Sequence, residues 1–221
     1  MKKVVYLGDQ KVRFEWSNIS ELKKEAIKHD INIGYDVTIG SGTTIGSGTT
    51  IWHCSNIGKH VKIKNGVNII GKVNIGNYTT IGYLATIKYY TNIGYKVNIG
   101  DFTNIGVKVN INNYVNIGNM ADIGYGTRIG NKAKISNNVT ILPEANIKEN
   151  WQISKIIHLI NEYAHNVSGF YIDDKAYIKI DALTKTIEEW DDDFWDEDSE
   201  QGKAKLAAYK KMRVIMKIIR Q

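Results

Sequence analysis

The sequence predicts an all-β-dominated chain built around a parallel β-helix of about seven coils, with a small α/β cap at each end. Three observations predict it. Isoleucine recurs at every sixth position from Ile33 to Ile153, 21 times without an insertion. Two residues before these isoleucines stands a small or β-branched residue, as at Val37, Thr43, Ser55, Val61, Ala85, Val97, Ala133 and Val139, with a polar residue between. This is the in, out, in alternation of a strand. Glycine then follows the isoleucine at twelve of these positions, among them Gly34, Gly58, Gly82, Gly106 and Gly130, as expected where a backbone turns a tight corner. A short strand and a glycine corner every six residues suit neither a helix nor a hairpin sheet, but they suit a coil that stacks on itself.

Before the repeat, residues 1–30 form a first cap. Residues 1–16 read as two short strands around Gly8 and Asp9, followed by a helix from about Ile19 to His29 with Ser17 or Asn18 as its N-cap. Such a cap covers the open edge of the first coil.

Residues 31–153 carry the repeat, and here the sequence resembles the hexapeptide-repeat family. The resemblance implies a left-handed helix with three repeats per triangular coil, and a homotrimer with ligands in the clefts between subunits. Residues 18 apart then stack, and the three corners become columns. One column places Leu84, Phe102 and Met120 above one another as an exposed apolar ridge, which reads as the trimer seam. A second gives up glycine on three successive floors, at Trp52, Ile70 and Lys88. It starts a stripe that contains Trp52, His53, Lys72, Lys88, Tyr89, Tyr90 and Lys108. Lysines hold phosphate or carboxylate, and aromatic faces stack on planar groups, so these residues are the candidate ligand-binding set. The third column carries His60, Tyr78, Tyr95, Lys96, Tyr114 and Lys132, and the flat faces carry outward Asn and Thr, including Asn56, Asn74, Asn92 and Asn110.

Residues 154–221 form a second cap. WQISKIIHLINEYAH has helical spacing, FYIDDKAYIKI reads as a hairpin that turns at Asp173 and Asp174, and TIEEWDDDFWDEDSE is an acidic run without calcium-loop spacing. A basic helix closes the chain, with Leu206, Tyr209, Met212, Val214, Ile215 and Ile218 roughly on one face. This tail looks like the cap of hexapeptide-repeat proteins encoded by phages and prophages.

Composition bounds the function. The 29 Lys+Arg exceed the 23 Asp+Glu for a net charge of +6, which suits anionic ligands but does not by itself imply nucleic acid. A single cysteine excludes an intrachain disulfide framework and fits a reducing compartment. The first 30 residues hold no signal-like apolar run, and no 18-residue apolar stretch occurs, so a cytoplasmic protein without a membrane span is expected. If the gene is phage-borne, the cytoplasm is the host's.

Three functions remain open. The first is a non-catalytic trimer that holds an anionic, nucleotide-like small molecule in its inter-subunit clefts, as a phage protein sequestering a signalling nucleotide would. The second is an acyltransferase using acetyl-CoA, because Ile51-Trp52-His53, with Ser55 beyond, resembles a stretch in N-acetyltransferases of nucleotide-linked amino sugars. His53 would then be the general base. The third is a structural or virion component. The two coil histidines, His53 and His60, do not make the three-histidine zinc site of the carbonic anhydrases of this fold, and Cys54 has no nucleophile's partner set.

Overall fold

A computed structural model describes residues 2–141, 143–162, 165–172, 175–181, 183–192 and 198–220. The chain divides into two compact units, residues 1–151 and residues 152–221.

The first unit is the parallel β-helix. Its strands are two or three residues long, from Asn32–Ile33 to Asn146–Ile147, and each pairs in parallel with the strand 18 residues on. On one face Ile33 pairs with Ile51, Ile51 with Ile69, Ile69 with Ile87 and Ile87 with Ile105. The next face pairs Ile39, Ile57, Ile75, Ile93 and Ile111 in the same way. The inward positions are closed: Ile45, Ile51, Ile69, Ile81, Ile87 and Ile105 are fully buried, as are the small residues Ser55, Thr79 and Ala85. Each buried isoleucine contributes about 1.5–3 kcal/mol, and strands about 4.8 Å apart stack these contributions into one continuous core.

The corners show why so few residue types are needed. At most corners the third residue has positive φ, including Cys54, Lys72, Leu84, Tyr90, Phe102, Lys108 and Met120. Its N–H donates to the middle residue's carbonyl one coil below, as in Lys72 to His53 and Lys108 to Tyr89. The first corner position is glycine for a different reason. A Cβ at Gly76, Gly82 or Gly100 would lie 2.3–2.5 Å from the backbone of the corner above. Where another residue stands in this place, as at Trp52 or Lys88, the same backbone bond to the coil above is kept, Trp52 N–H to the Ile69 carbonyl at 2.8 Å and Lys88 N–H to the Ile105 carbonyl at 2.9 Å.

The N-terminal cap follows the sequence closely. Lys3–Leu7 pairs antiparallel with Val12–Trp16, and in parallel with the first coil strand of one face, Leu7 beside Ile45. The helix runs Ile19–Ile27 with Asn18 as N-cap, its side chain accepting from the Glu21 N–H, and it buries Leu22 and Ala26. Glu21 reaches back to the Ser17 N–H at 2.9 Å, and this bond holds its carboxyl below the usual glutamate range.

The second unit departs from the sequence expectation at its start. The stretch with helical spacing is instead a strand, Gln152–Glu162, antiparallel to His165–Ile172. Its isoleucines satisfy either period, and the adjacent β-partner decides between them. His165–Ile172 pairs with Lys175–Ile180, so the expected hairpin forms, while its turn at Asp173 and Asp174 lies outside the described residues. Lys175–Ile180 pairs in turn with Leu183–Thr186. A capping box at Thr186 and Glu189 starts the helix Ile187–Asp191, and the closing helix spans Glu200–Arg220. Val167, Tyr171, Ile178, Ile180, Trp190, Leu206, Tyr209 and Met212 form the core. The indole N–H of Trp190 donates to the Ile178 carbonyl at 2.7 Å.

On the closing helix Leu206, Tyr209 and Met212 are buried as the spacing suggests, but Val214 is exposed. The side chains of Ile215 and Ile218 lie outside the described residues, as do residues 193–197 of the acidic run. Asp191 in that run accepts from Tyr209 Oη at 2.6 Å and from two nitrogens of Arg213 at 2.6 and 3.2 Å. Burial first, then this carboxylate, pushes the Tyr209 phenol well above its usual value.

Candidate functional site

The residues read as a stripe on the second corner sort into three groups by the contacts they make. The first surrounds His53. Its ring lies flat on Tyr35 one coil below, centroids 4.8 Å apart and planes 8° from parallel. Above it sits Gly71. A Cβ there would be 3.5 Å from His53 Nε2 and 2.9 Å from the Tyr89 ring, so His53 and Tyr89 close on the same glycine from opposite sides. Gly71 has φ +48 and the following Lys72 φ +52, giving this corner two consecutive left-handed residues.

The second group is a ladder of ammonium and phenol. Lys72 Nζ donates to Tyr90 Oη at 3.3 Å and lies 5.1 Å from that ring's centroid. Two coils higher, Lys108 Nζ donates to Tyr125 Oη at 3.2 Å and lies 5.4 Å from its ring. Tyr89 and Tyr90 bridge the two groups, centroids 6.4 Å apart. Neither lysine has a carboxylate within ion-pair distance among the described residues.

The third group stands aside. Trp52 is half exposed and its indole N–H donates to Asn68 Oδ1 at 3.1 Å. Lys88 is half-buried and has no ion-pair partner among the described residues. Ser55, next to the Ile-Trp-His stretch, is fully buried beneath the Val73 N–H at 3.4 Å, so its hydroxyl belongs to the core. Cys54 is a half-buried free thiol at a left-handed corner position. Among the described residues no cluster of three or more His, Cys, Asp or Glu side chains could hold a metal ion.

Sequence reasoning missed Tyr35, Asn68, Gly71 and Tyr125. Tyr35 and Gly71 are each 18 residues from His53, so the column arithmetic held the signal. Tyr125 lies 17 residues from Lys108 and Asn68 16 from Trp52, so those contacts depend on where the side chains lean.

The other columns are also formed. Leu84, Phe102 and Met120 are 43%, 53% and 58% exposed, an apolar ridge in the open. His60 stacks on Tyr78, and Tyr78, Tyr95 and Tyr114 follow edge to face. The asparagine ladder is hydrogen-bonded: the Thr38 hydroxyl donates to Asn56 Oδ1, the Asn56 amide to Asn74 Oδ1 and the Asn74 amide to Asn92 Oδ1. A cavity of about 400 Å³ lies along it, over Gly58, Gly76 and Gly94.

No family model and no curated protein matches the sequence. Solved structures do. LpxA from Acinetobacter baumannii is 20% identical over 57% of this chain and 64% of its own, with a TM-score of 0.43. PerB from Caulobacter crescentus, in complex with CoA and GDP-perosamine, is 11% identical over 61% of this chain and 60% of its own, TM-score 0.24. The acetyltransferase domain of PglB from Neisseria gonorrhoeae, in complex with acetyl coenzyme A, is 14% identical over 61% and 60%, TM-score 0.26. This chain thus spans less than two thirds of the length of each. No helix among the described residues is long and apolar enough to cross a membrane. The unbroken six-residue repeat and the stacked coils built from it make residues 31–151 of this chain a parallel β-helix.

Proposed function

We propose that the chain binds a ligand carrying both phosphate and a planar ring, as a nucleotide or coenzyme A does, along the corner stripe from His53 to Tyr125. The observation that carries this reading is the ladder of Lys72 with Tyr90 and Lys108 with Tyr125. Each lysine is held by a phenol rather than a carboxylate, so its charge stays available to an anion, and the exposed rings beside it offer faces for stacking. A homotrimer is part of the proposal. The ridge of Leu84, Phe102 and Met120 supports it, because an apolar strip of this kind is covered when copies of the prism pack together. A protein that binds without turnover would sequester its ligand, and a phage-encoded chain would so remove a signalling nucleotide.

Acyl transfer from acetyl-CoA is the second reading, and His53 favours it. Its ring is half-buried and stacked on Tyr35, and among the described residues no hydrogen bond occupies its nitrogens, so one is free to take an acceptor proton.

A thermal-shift panel of acetyl-CoA, UDP- and dTDP-sugars, and linear and cyclic nucleotides tests both. A ligand at a hundred times its Kd stabilises the fold by about 2.7 kcal/mol, and Lys72→Ala with Lys108→Ala removes the shift. Turnover of acetyl-CoA that His53→Ala abolishes establishes the transferase. A shift without turnover establishes the binder, and silence across the panel contradicts both and favours a structural role.

A further inference from the structure

We infer that the groove between the N-terminal hairpin turn and the adjoining coil face is a second anion site, built to take a small-molecule phosphate monoester. Its place in the fold is separate from the corner stripe, and none of its lining residues belongs to that stripe.

The cavity measures about 480 Å³, within the range of pockets that hold small molecules. Its floor is the outward face of three stacked strands, where Thr44, Lys62 and Thr80 stand one above another in register. Lys11 approaches from the hairpin turn, and Lys64 and Tyr83 close the side toward the corner.

The charges are unbalanced in a specific way. Lys64 is paired with Asp101 at 2.9 Å. Asp9, the carboxylate on the turn, accepts from the Asn65 amide at 2.6 Å. Lys11 and Lys62 also line the groove, and neither has a carboxylate within ion-pair distance among the described residues, so two unpaired ammoniums stand there against the single Asp9 carboxylate. Two such ammoniums with a hydroxyl on either side of Lys62 match a dianion that accepts several hydrogen bonds. Tyr83 lies at the edge, its ring fixed edge to face on Phe102 with centroids 5.5 Å apart. It provides an aromatic face for the organic part of the ligand.

The wall that carries Lys11 is held in place from both sides. The Gly8 N–H donates to the Ile45 carbonyl at 2.9 Å. Gly8 has φ +68, and a Cβ there would meet His29 at 3.0 Å, so His29, just past the cap helix, packs against the turn. Covering the first coil requires only that the hairpin strand pair with Thr43–Ile45. It does not require a lysine on the turn and a lysine on the coil face to line one groove.

The test titrates inorganic phosphate and adenosine 5′-monophosphate separately into the full chain, with amide shifts of Thr44, Lys62 and Thr80 as readout. The proposal expects saturable shifts with adenosine monophosphate, weakened about tenfold by Lys62→Ala and by Lys11→Ala. Both lysines are exposed, so the variants keep the wild-type melting temperature. Inorganic phosphate should bind more weakly, and Tyr83→Ala should remove the difference. Absence of shifts at these amides up to about 10 mM of either probe overturns the site. So do shifts that survive both lysine substitutions, and equal affinity for the two probes overturns the assignment to a monoester. Because the amides of Thr44, Lys62 and Thr80 lie in this groove and the Lys72→Ala, Lys108→Ala double variant reads the corner stripe, failure of either site is distinguishable from failure of the other.

Discussion

At Gly71 the chain meets a demand that the six-residue pattern does not contain. The residue is squeezed between His53 and Tyr89 and held at φ +48, so Gly71→Ala should destabilise the coil by about 1–2 kcal/mol. It should also push the Tyr89 ring off its seat. Chemical unfolding of the variant checks the first effect, and an unchanged midpoint would show that the corner relaxes without cost. Asp101 presents a second residue-level prediction. Its carboxylate accepts from Lys64 Nζ at 2.9 Å and the Tyr83 N–H at 2.7 Å, and these bonds, Lys64 first, hold it below the usual aspartate range. The native state therefore binds this proton less readily than the unfolded chain. The stabilisation is complete above the unfolded value, near pH 4, and is lost as pH falls through the lower native value. Asp101→Asn should flatten the acid limb of the stability curve there, whereas superimposable limbs would remove Asp101 as a contributor.

The elements repeat one device, and its cost is visible where glycine is absent. Lys132 occupies the left-handed corner position with φ +56, its N–H bonded to the Asn113 carbonyl at 3.0 Å. A side chain in that conformation costs about 1–2 kcal/mol, so Lys132→Gly should raise the melting temperature; a fall would mean that the lysine stem packs more than its strain costs. Legibility also divides at this scale. The coil register was readable because an 18-residue offset lands each isoleucine on another, as Ile69 on Ile87, and the same offset reaches Tyr35 from His53. It failed where the outcome depends on tertiary partners. Gln152–Glu162 carries an ambiguous apolar spacing, and pairing with His165–Ile172 is what makes it a strand. The contact of Trp52 with Asn68 is a matter of side-chain direction, which no repeat encodes.

The β-helix as a whole is a rigid scaffold on which separate corners carry separate chemistry. Its apolar ridge faces water in a single copy, and the proposed trimer is what covers it. Phe102→Asp places a charge in the middle of that strip, and sedimentation should then show the assembly falling to monomers while the fold is retained. A wild-type chain that sediments as a monomer would remove the clefts from the account. The proposed binding rests on the ladder of Lys72, Tyr90, Lys108 and Tyr125. Isothermal titration of the best ligand from the nucleotide and acetyl-CoA panel, into the wild-type chain and into the Lys72→Ala, Lys108→Ala double variant, tests it most directly. Loss of two unneutralised ammoniums should weaken binding by about 10- to 100-fold, whereas equal affinity for the two proteins would contradict the account.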